Sequence, residues 1–312
     1  MKTKHLFRIA LLLVIAAAAG LASCKKDKKD APADTCGIPE LKMVSSADVP
    51  NPCGIAVSVN GKVAVTEYKR PYGSSGFTKI WNSYSDLLAG KPPVELLQHI
   101  GAEAVAFDNN ENLYVTETEQ NARIVVYKKA KVNGMDDYQY HRQIQEGFEN
   151  PRGIAFDSKN RLYLADDGKD RLLRFNDPMN SSTFAVVASV FGEPKGLTIA
   201  NDTLYLTGYK HNRLYKSGLT GAGGLGETVI INSPTPVDVA AYGNVVAIAS
   251  PAASTITLFN GGQIKTSDAV YSGCTKEIKS SGELFGIAFV KTDKGYGLLS
   301  AQHTQNKIVF YR

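Results

Sequence analysis

One pattern recurs six times along this chain of 312 residues, and it constrains the fold more than any other feature. The unit is Pro-x-Gly, an apolar-Ala-apolar segment, a short turn, a Leu-Tyr-apolar segment, a polar loop, and a segment opening Arg/Lys-apolar. The clearest copy is Pro151-Arg152-Gly153-Ile154-Ala155-Phe156, then Arg161-Leu162-Tyr163-Leu164-Ala165-Asp166, then Arg171-Leu172-Leu173-Arg174-Phe175. A second begins at Ala104-Val105-Ala106-Phe107, and a third at Pro194-Lys195-Gly196-Leu197. Fainter copies begin at Pro52-Cys53-Gly54, Pro236-Val237-Asp238 and Phe285-Gly286-Ile287. Equivalent positions are 54, 104, 153, 196, 238 and 286, so successive copies lie 50, 49, 43, 42 and 48 residues apart.

That period suits a radial array of four-stranded sheets. The expected fold is therefore all-β: a single six-bladed β-propeller over residues 38–312. A β-sandwich also has many short strands, but it gives no reason for a regular period. A further apolar stretch precedes each new copy and reads as a fourth, outer strand: Val94–Ile100, Tyr140–Gln145, Phe184–Val190, Thr228–Ile231 and Ala269–Tyr271. The sixth copy has no such stretch after it. The segment Leu41–Ser45 is free to supply the missing strand, so the last blade is expected to be closed by the N-terminal strand. A closed ring leaves no long exposed strand edge.

The repeat resembles the NHL repeat family across essentially residues 40–312. The resemblance implies the propeller fold and no catalytic property, because the family is defined by its fold. Length alone suggests about two domains, but all-β chains run past 200 residues as one. With 43% hydrophobic residues the chain can bury a large core without disulfide staples.

Residues 1–23 read as a secretory signal: basic Lys2, Lys4 and Arg8, an apolar run from Ile9 to Ala19, then small residues. The run is too short to span a bilayer, which takes about 20 apolar residues. Leu21-Ala22-Ser23-Cys24 resembles a bacterial lipobox. The resemblance implies cleavage before Cys24, a diacylglyceryl thioether on its sulfur and an acylated (palmitate-type) amine. Residues 24–37 then form a lipid-anchored flexible tether. Lys25 after the cysteine favours outer-membrane sorting, by likeness to enteric lipoproteins. The signal and tether are similar in style to those of Bacteroidetes lipoproteins. The expected location is the cell envelope, with the domain exported from the cytoplasm and held to the membrane by its lipid alone.

The formal charge of +5 falls to +2 without the first 23 residues, and to +1 for residues 36–312. The basic footprint of a nucleic-acid-binding domain is absent. No nucleophile elbow, P-loop or dinucleotide fingerprint occurs, and the glycines of 221–226 do not lead a strand into a helix. No catalytic residue is named, and enzymatic activity is left open.

Antiparallel blades place the fourth-to-first and second-to-third loops on one face, here called the top. Rigid blades make such loops suitable for binding. The candidate ligand-binding residues there are Glu67, Tyr68, Arg70, Tyr72, Glu117, Arg152, Asp166, Lys195, Tyr209, His211, Arg213 and His303. The first blade adds a long loop, 68–77, whose aromatic and basic groups suit stacking and carboxylate or hydroxyl recognition. The expected partner is an envelope protein, a peptide or a glycan, met by a monomer without a cofactor. The alternative is a metal-dependent hydrolase or lyase. Glu67, Glu117 and Asp166 would then converge on Ca²⁺, as resemblance to gluconolactonase-like propellers implies. Gln302-His303-Thr304 resembles the metal loops of peptidyl-hydroxyglycine (amidating) lyases, which implies Zn²⁺, although a third matching histidine is lacking. Trp81 reads as packing. Export permits a disulfide, and Cys53–Cys274 is the expected pair, with a Cys36 bond as the alternative that would lock the clasp.

Overall fold

Six inner strands, one from each copy of the repeat, stand around a common axis. The computed structural model describes residues 36–69, 74–118, 122–145, 147–265, 271 and 273–312. Ile38–Arg312 form one compact unit. Blade one is β2 (Pro52–Val57), β3 (Val63–Glu67), β4 (Ser75–Trp81) and β5 (Glu95–Ile100); a short helix α1 (Tyr84–Leu88) follows β4. Blade two is β6 (Ala102–Phe107), β7 (Leu113–Glu117), β8 (Arg123–Val132) and β9 (Met135–Ile144). Blade three is β10 (Pro151–Phe156), β11 (Leu162–Asp166), β12 (Arg171–Phe175) and β13 (Phe184–Ser189). Blade four is β14 (Pro194–Ala200), β15 (Thr203–Gly208), β16 (Arg213–Leu219) and β17 (Leu225–Asn232). Blade five is β18 (Asp238–Tyr242), β19 (Val245–Ser250), β20 (Thr255–Asn260) and β21 (Thr275–Lys279). Blade six is β22 (Leu284–Thr292), β23 (Gly295–Gln302), β24 (Lys307–Tyr311) and the N-terminal β1 (Met43–Asp48).

Each blade is an antiparallel sheet in which neighbours follow chain order, except the last, whose order is β22-β23-β24-β1. The clasp is present: β1 pairs with β24 from Met43 opposite Tyr311 to Asp48 opposite Lys307. Inner strands touch all the way round, β22 meeting β2, so the ring is closed.

The recurrent glycine has a steric cause. A Cβ on Gly153 would overlap the Lys195 carbonyl, one on Gly54 the Glu103 carbonyl, and one on Gly286 the Cys53 carbonyl. Six inner strands crowd so closely at the axis that each glycine abuts the next blade's backbone. Hydroxyls complete the bend: Thr66, Thr116 and Thr207 accept the amides of Gly54, Ala104 and Gly196 at 2.7–2.9 Å.

The core lies between blades, not within one. Blade two packs Tyr114, Ile124, Val126 and Ile144 against Ile154, Leu162, Leu164 and Phe175 of blade three. Second strands are covered on both faces, so β3, β7, β11 and β19 are buried throughout. That explains their unbroken apolar runs, which lack the alternation of a half-exposed strand. Trp81 belongs to the core between blades six and one, and its indole N–H donates to the Lys91 carbonyl at 2.9 Å.

Two outer strands depart from expectation. The fourth strand of blade five is β21, while positions 269 and 270 of the expected Ala269–Tyr271 lie outside the described residues. Its sequence Thr-Lys-Glu-Ile-Lys buries only Ile278, so it carries almost no hydrophobic signal. In blade two, β9 begins five residues before Tyr140, because Asn133 and Gly134, at φ 51° and 80°, close a long hairpin with β8.

Candidate functional site

The axis encloses a cavity of about 570 Å³ lined by all six inner strands. Each inner strand pairs on one side only, so its other backbone edge faces this channel. The middle residue of each Pro-x-Gly segment stands at the top rim: Cys53, Glu103, Arg152, Lys195, Val237 and Phe285 all line the cavity, with Tyr68 beside them. Toward the other end the lining becomes apolar, with Val57, Phe107, Phe156, Ile199 and Phe289.

At the rim, Arg152 forms an ion pair with Glu103 across blades, and its Nε donates to Asp167 Oδ2 at 3.2 Å. Lys195 Nζ sits 4.5 Å above the Tyr209 ring, a cation–π arrangement. Burial, with the nearby Arg152 charge, lowers the Lys195 pKa from the usual lysine value. Blade five breaks the glycine rule, and Asp238 stands where the others have Gly or Ala. Its Oδ2 accepts the Ile287 amide at 2.8 Å, bridging to blade six. Burial pushes the Asp238 carboxyl up to about 7, although the Ile287 and Val239 amides pull the other way.

A carboxyl raised on folding binds its proton more tightly in the native state. Stability from this group is therefore greatest at acid pH and falls as pH rises from the unfolded value of about 4 through 7. Asp238→Asn keeps the acceptor for Ile287. It is expected to gain denaturant midpoint over the wild type at pH 8 but not at pH 4. An equal offset at both values would disprove this account.

The sequence candidates divide sharply. Tyr68, Arg152 and Lys195 line the cavity, and Tyr209 backs Lys195. Arg70 and Tyr72 lie outside the described residues. Glu67, Glu117 and Asp166 do not converge on the channel, which corrects the Ca²⁺ expectation. Each ends a second strand and is spent within its own blade or at the seam before it. Glu67 pairs with Lys79 at 2.5 Å. Glu117 takes Arg123 Nε at 2.5 Å and His99 Nδ1 at 2.9 Å. Asp166 takes Arg171 Nε at 2.8 Å and the Glu149 amide at 2.8 Å. For Glu117, burial would raise the pKa, but the hydrogen bonds from His99 and Arg123 outweigh it and hold it below the usual range. For Asp166 burial wins, and the carboxyl is pushed up despite Arg171. Cross-strand register explains the pattern, since Glu117 faces Arg123 and Asp166 faces Arg171. The same register puts Gln302, not Ala301, at this place in blade six.

The histidines also separate. His303 is buried, its Nδ1 3.3 Å from the Pro52 carbonyl and its ring against Phe285. His211 and Arg213 are exposed, and His211 Nδ1 meets the Tyr215 hydroxyl at 3.1 Å. Among the described residues no group of three or more His, Cys, Asp or Glu side chains is placed to hold a metal ion. The Cys53–Cys274 pairing is also corrected: Cys53 is a free, buried thiol, whereas Cys274 is disulfide-bonded. Cys53 lines the channel on an inner strand, while Cys274 precedes the outermost strand of blade five, so they stand at opposite radii. Burial pushes the Cys53 thiol up to about 12, which makes it a poor nucleophile.

Glu103, Asp238 and Phe285 were missed as site residues. A signal was available: Glu103 and Phe285 occupy position x of the repeat, which varies widely in charge and size, and Asp238 breaks the small-residue rule at the next position.

No family model matches the sequence, and no curated protein matches it. Solved structures do match. Virginiamycin B lyase from Staphylococcus aureus aligns over 87% of this chain and 99% of its own, with TM-score 0.55 and 16% identity. A structure of the nidogen/laminin complex aligns over 76% and 84%, with TM-score 0.58 and 20% identity. PQQ-bound aldose sugar dehydrogenase from Streptomyces coelicolor aligns over 88% and 98%, with TM-score 0.56 and 12% identity. At such identities the likeness establishes architecture alone: this chain is a six-bladed β-propeller.

Proposed function

We propose that the chain is a binding module of the NHL-like propeller type, which receives its ligand at the top rim of the channel. The carrying observation is the rim itself, where Arg152, Lys195, Glu103, Tyr68 and Phe285 meet around one opening. Rigid inner strands hold all of these groups but Tyr68, which directly follows β3, so little order need be gained on binding. The top-face carboxylates that a lactonase-like site would need are already neutralised by Lys79, Arg123 and Arg171, which counts against the hydrolase or lyase reading. The like-folded neighbours include a two-protein complex, nidogen with laminin, and enzymes such as virginiamycin B lyase. Binding to a partner is therefore within this architecture's range.

The test is capture of envelope components on immobilised protein. Arg152→Ala is expected to lower recovery of a captured species about tenfold, or 1.4 kcal/mol. Lys128→Ala, at an exposed position of β8, is expected to leave recovery unchanged. No captured species, or equal loss in both variants, would overturn the reading.

The module is proposed to act at the envelope, anchored through Cys24 as Leu21-Ala22-Ser23-Cys24 suggests. More than one acyl chain gives stable attachment where one does not. The wild type should then partition with membranes and Cys24→Ala should not; equal partition removes the anchor from the proposal.

A further inference from the structure

Building on the proposed channel-rim site, we infer that its ligand is a small polar monocarboxylate whose carboxylate seats against the Lys195 ammonium. Two carboxylic acids and two strong bases line the cavity: Glu103, Asp238, Arg152 and Lys195. Three of the four are engaged. Arg152 is held by two carboxylates, Glu103 and Asp167. Asp238 holds the Ile287 amide. Among the described residues, no carboxylate lies within ion-pair distance of Lys195 Nζ, which rests on the Tyr209 ring instead. The site therefore offers one partly desolvated ammonium that no carboxylate touches directly, Asp167 and Glu193 acting on it only from farther off. An unpaired charge there is costly, and an incoming anion relieves the cost.

The same balance selects among ligands. A cation would find Glu103 already held by Arg152 and Asp238 by the Ile287 amide, and would lie against the Lys195 ammonium. A doubly charged phosphate would find one free base, because the Arg152 guanidinium is already taken by two carboxylates. A single carboxylate matches the single free ammonium. The volume of about 570 Å³ suits a small molecule, since such sites span about 300–1,000 Å³. The free backbone edges of six inner strands favour a hydrogen-bonding body over a hydrocarbon one.

The test is calorimetric titration of the purified protein with matched probes. These are N-acetylated amino acids, each as free acid and as primary amide, and glucuronic acid against glucose. At least one acid is expected to bind about tenfold or more tightly than its neutral counterpart. Lys195→Met keeps the aliphatic stem and should bring that ratio to about one, while Lys195→Arg should restore it. Whichever pair responds separates a peptide-derived from a sugar-derived source. Melting midpoints near that of the wild type verify that both variants fold. If neutral probes bind as tightly as acids, or the preference survives Lys195→Met, the carboxylate inference is overturned and the channel reading stands. If no probe binds although capture succeeds, the inference alone fails; if both fail, both are withdrawn.

Discussion

Deleting residues 38–48 is expected to abolish cooperative folding, not merely to lower a midpoint. The deletion removes β1, which pairs along β24. It exposes the edge from Lys307 to Tyr311 and takes Ala47 out of the core between blades six and one. Backbone bonds from Val49 to the Asn306 carbonyl and from Arg312 to the Lys42 carbonyl are broken or strained with it. A ring is all-or-none at its seam, because blade six buries blade one only while its own sheet is complete. The loss should exceed about 5 kcal/mol, comparable with a whole domain's stability, and the bare strand edge invites association. Circular dichroism melting and size-exclusion chromatography read both effects. A monomer that melts near the wild-type midpoint would show that the clasp is dispensable.

Glu117→Gln is expected to cost about 3 kcal/mol, because it breaks a buried ion pair and leaves its partner uncompensated. Glu117 is 1% exposed and holds His99 and Arg123 at once, joining β5 of blade one to β7 and β8 of blade two. Arg123 is 24% exposed and so can partly rehydrate, which places the cost at the low end for buried pairs. The pH dependence carries a definite sign. Since the folded carboxyl is held below its usual range, its contribution is complete above the unfolded value of about 4.3 and is lost as pH falls through the lower, folded value. The midpoint gap between wild type and variant should be flat from pH 8 to about 5, then shrink in more acid solution. A gap that is absent at pH 7, or that widens in acid, would contradict the ion-pair account. Asp238 has the opposite sign, so the two substitutions separate the two carboxylates cleanly.

Much of the architecture could be read in advance because burial is periodic. Second strands such as Leu162–Asp166 are covered on both faces and must be apolar, which writes the repeat into the chain. The clasp was legible for a related reason, since a sixth blade ending at Arg312 lacks an outer strand. The exact outer strands were harder. Thr275–Lys279 touches its blade through backbone hydrogen bonds and one buried isoleucine, so pattern alone cannot find it. Arg152 and Lys195, polar candidates of the top loops, line the channel. Glu103 was missed, because its role is pairwise: it lies beside Arg152 only when blades two and three are side by side.

By itself, then, the sequence determined the number of blades, the small residue at the inner-strand bend of every blade but the fifth, and the closure by an N-terminal strand. These follow from local composition and spacing, which steric crowding and burial dictate copy by copy. Only the tertiary structure decided which charges remain available. Glu117 and Asp166 resemble channel ligands along the chain, yet cross-strand register hands them to Arg123 and Arg171. Lys195 is one top-loop lysine along the chain, yet the ring turns it onto Tyr209 at the channel rim with no carboxylate in direct contact among the described residues. Charge compensation is a property of neighbours in space, and 40 to 50 residues of chain separate adjacent blades.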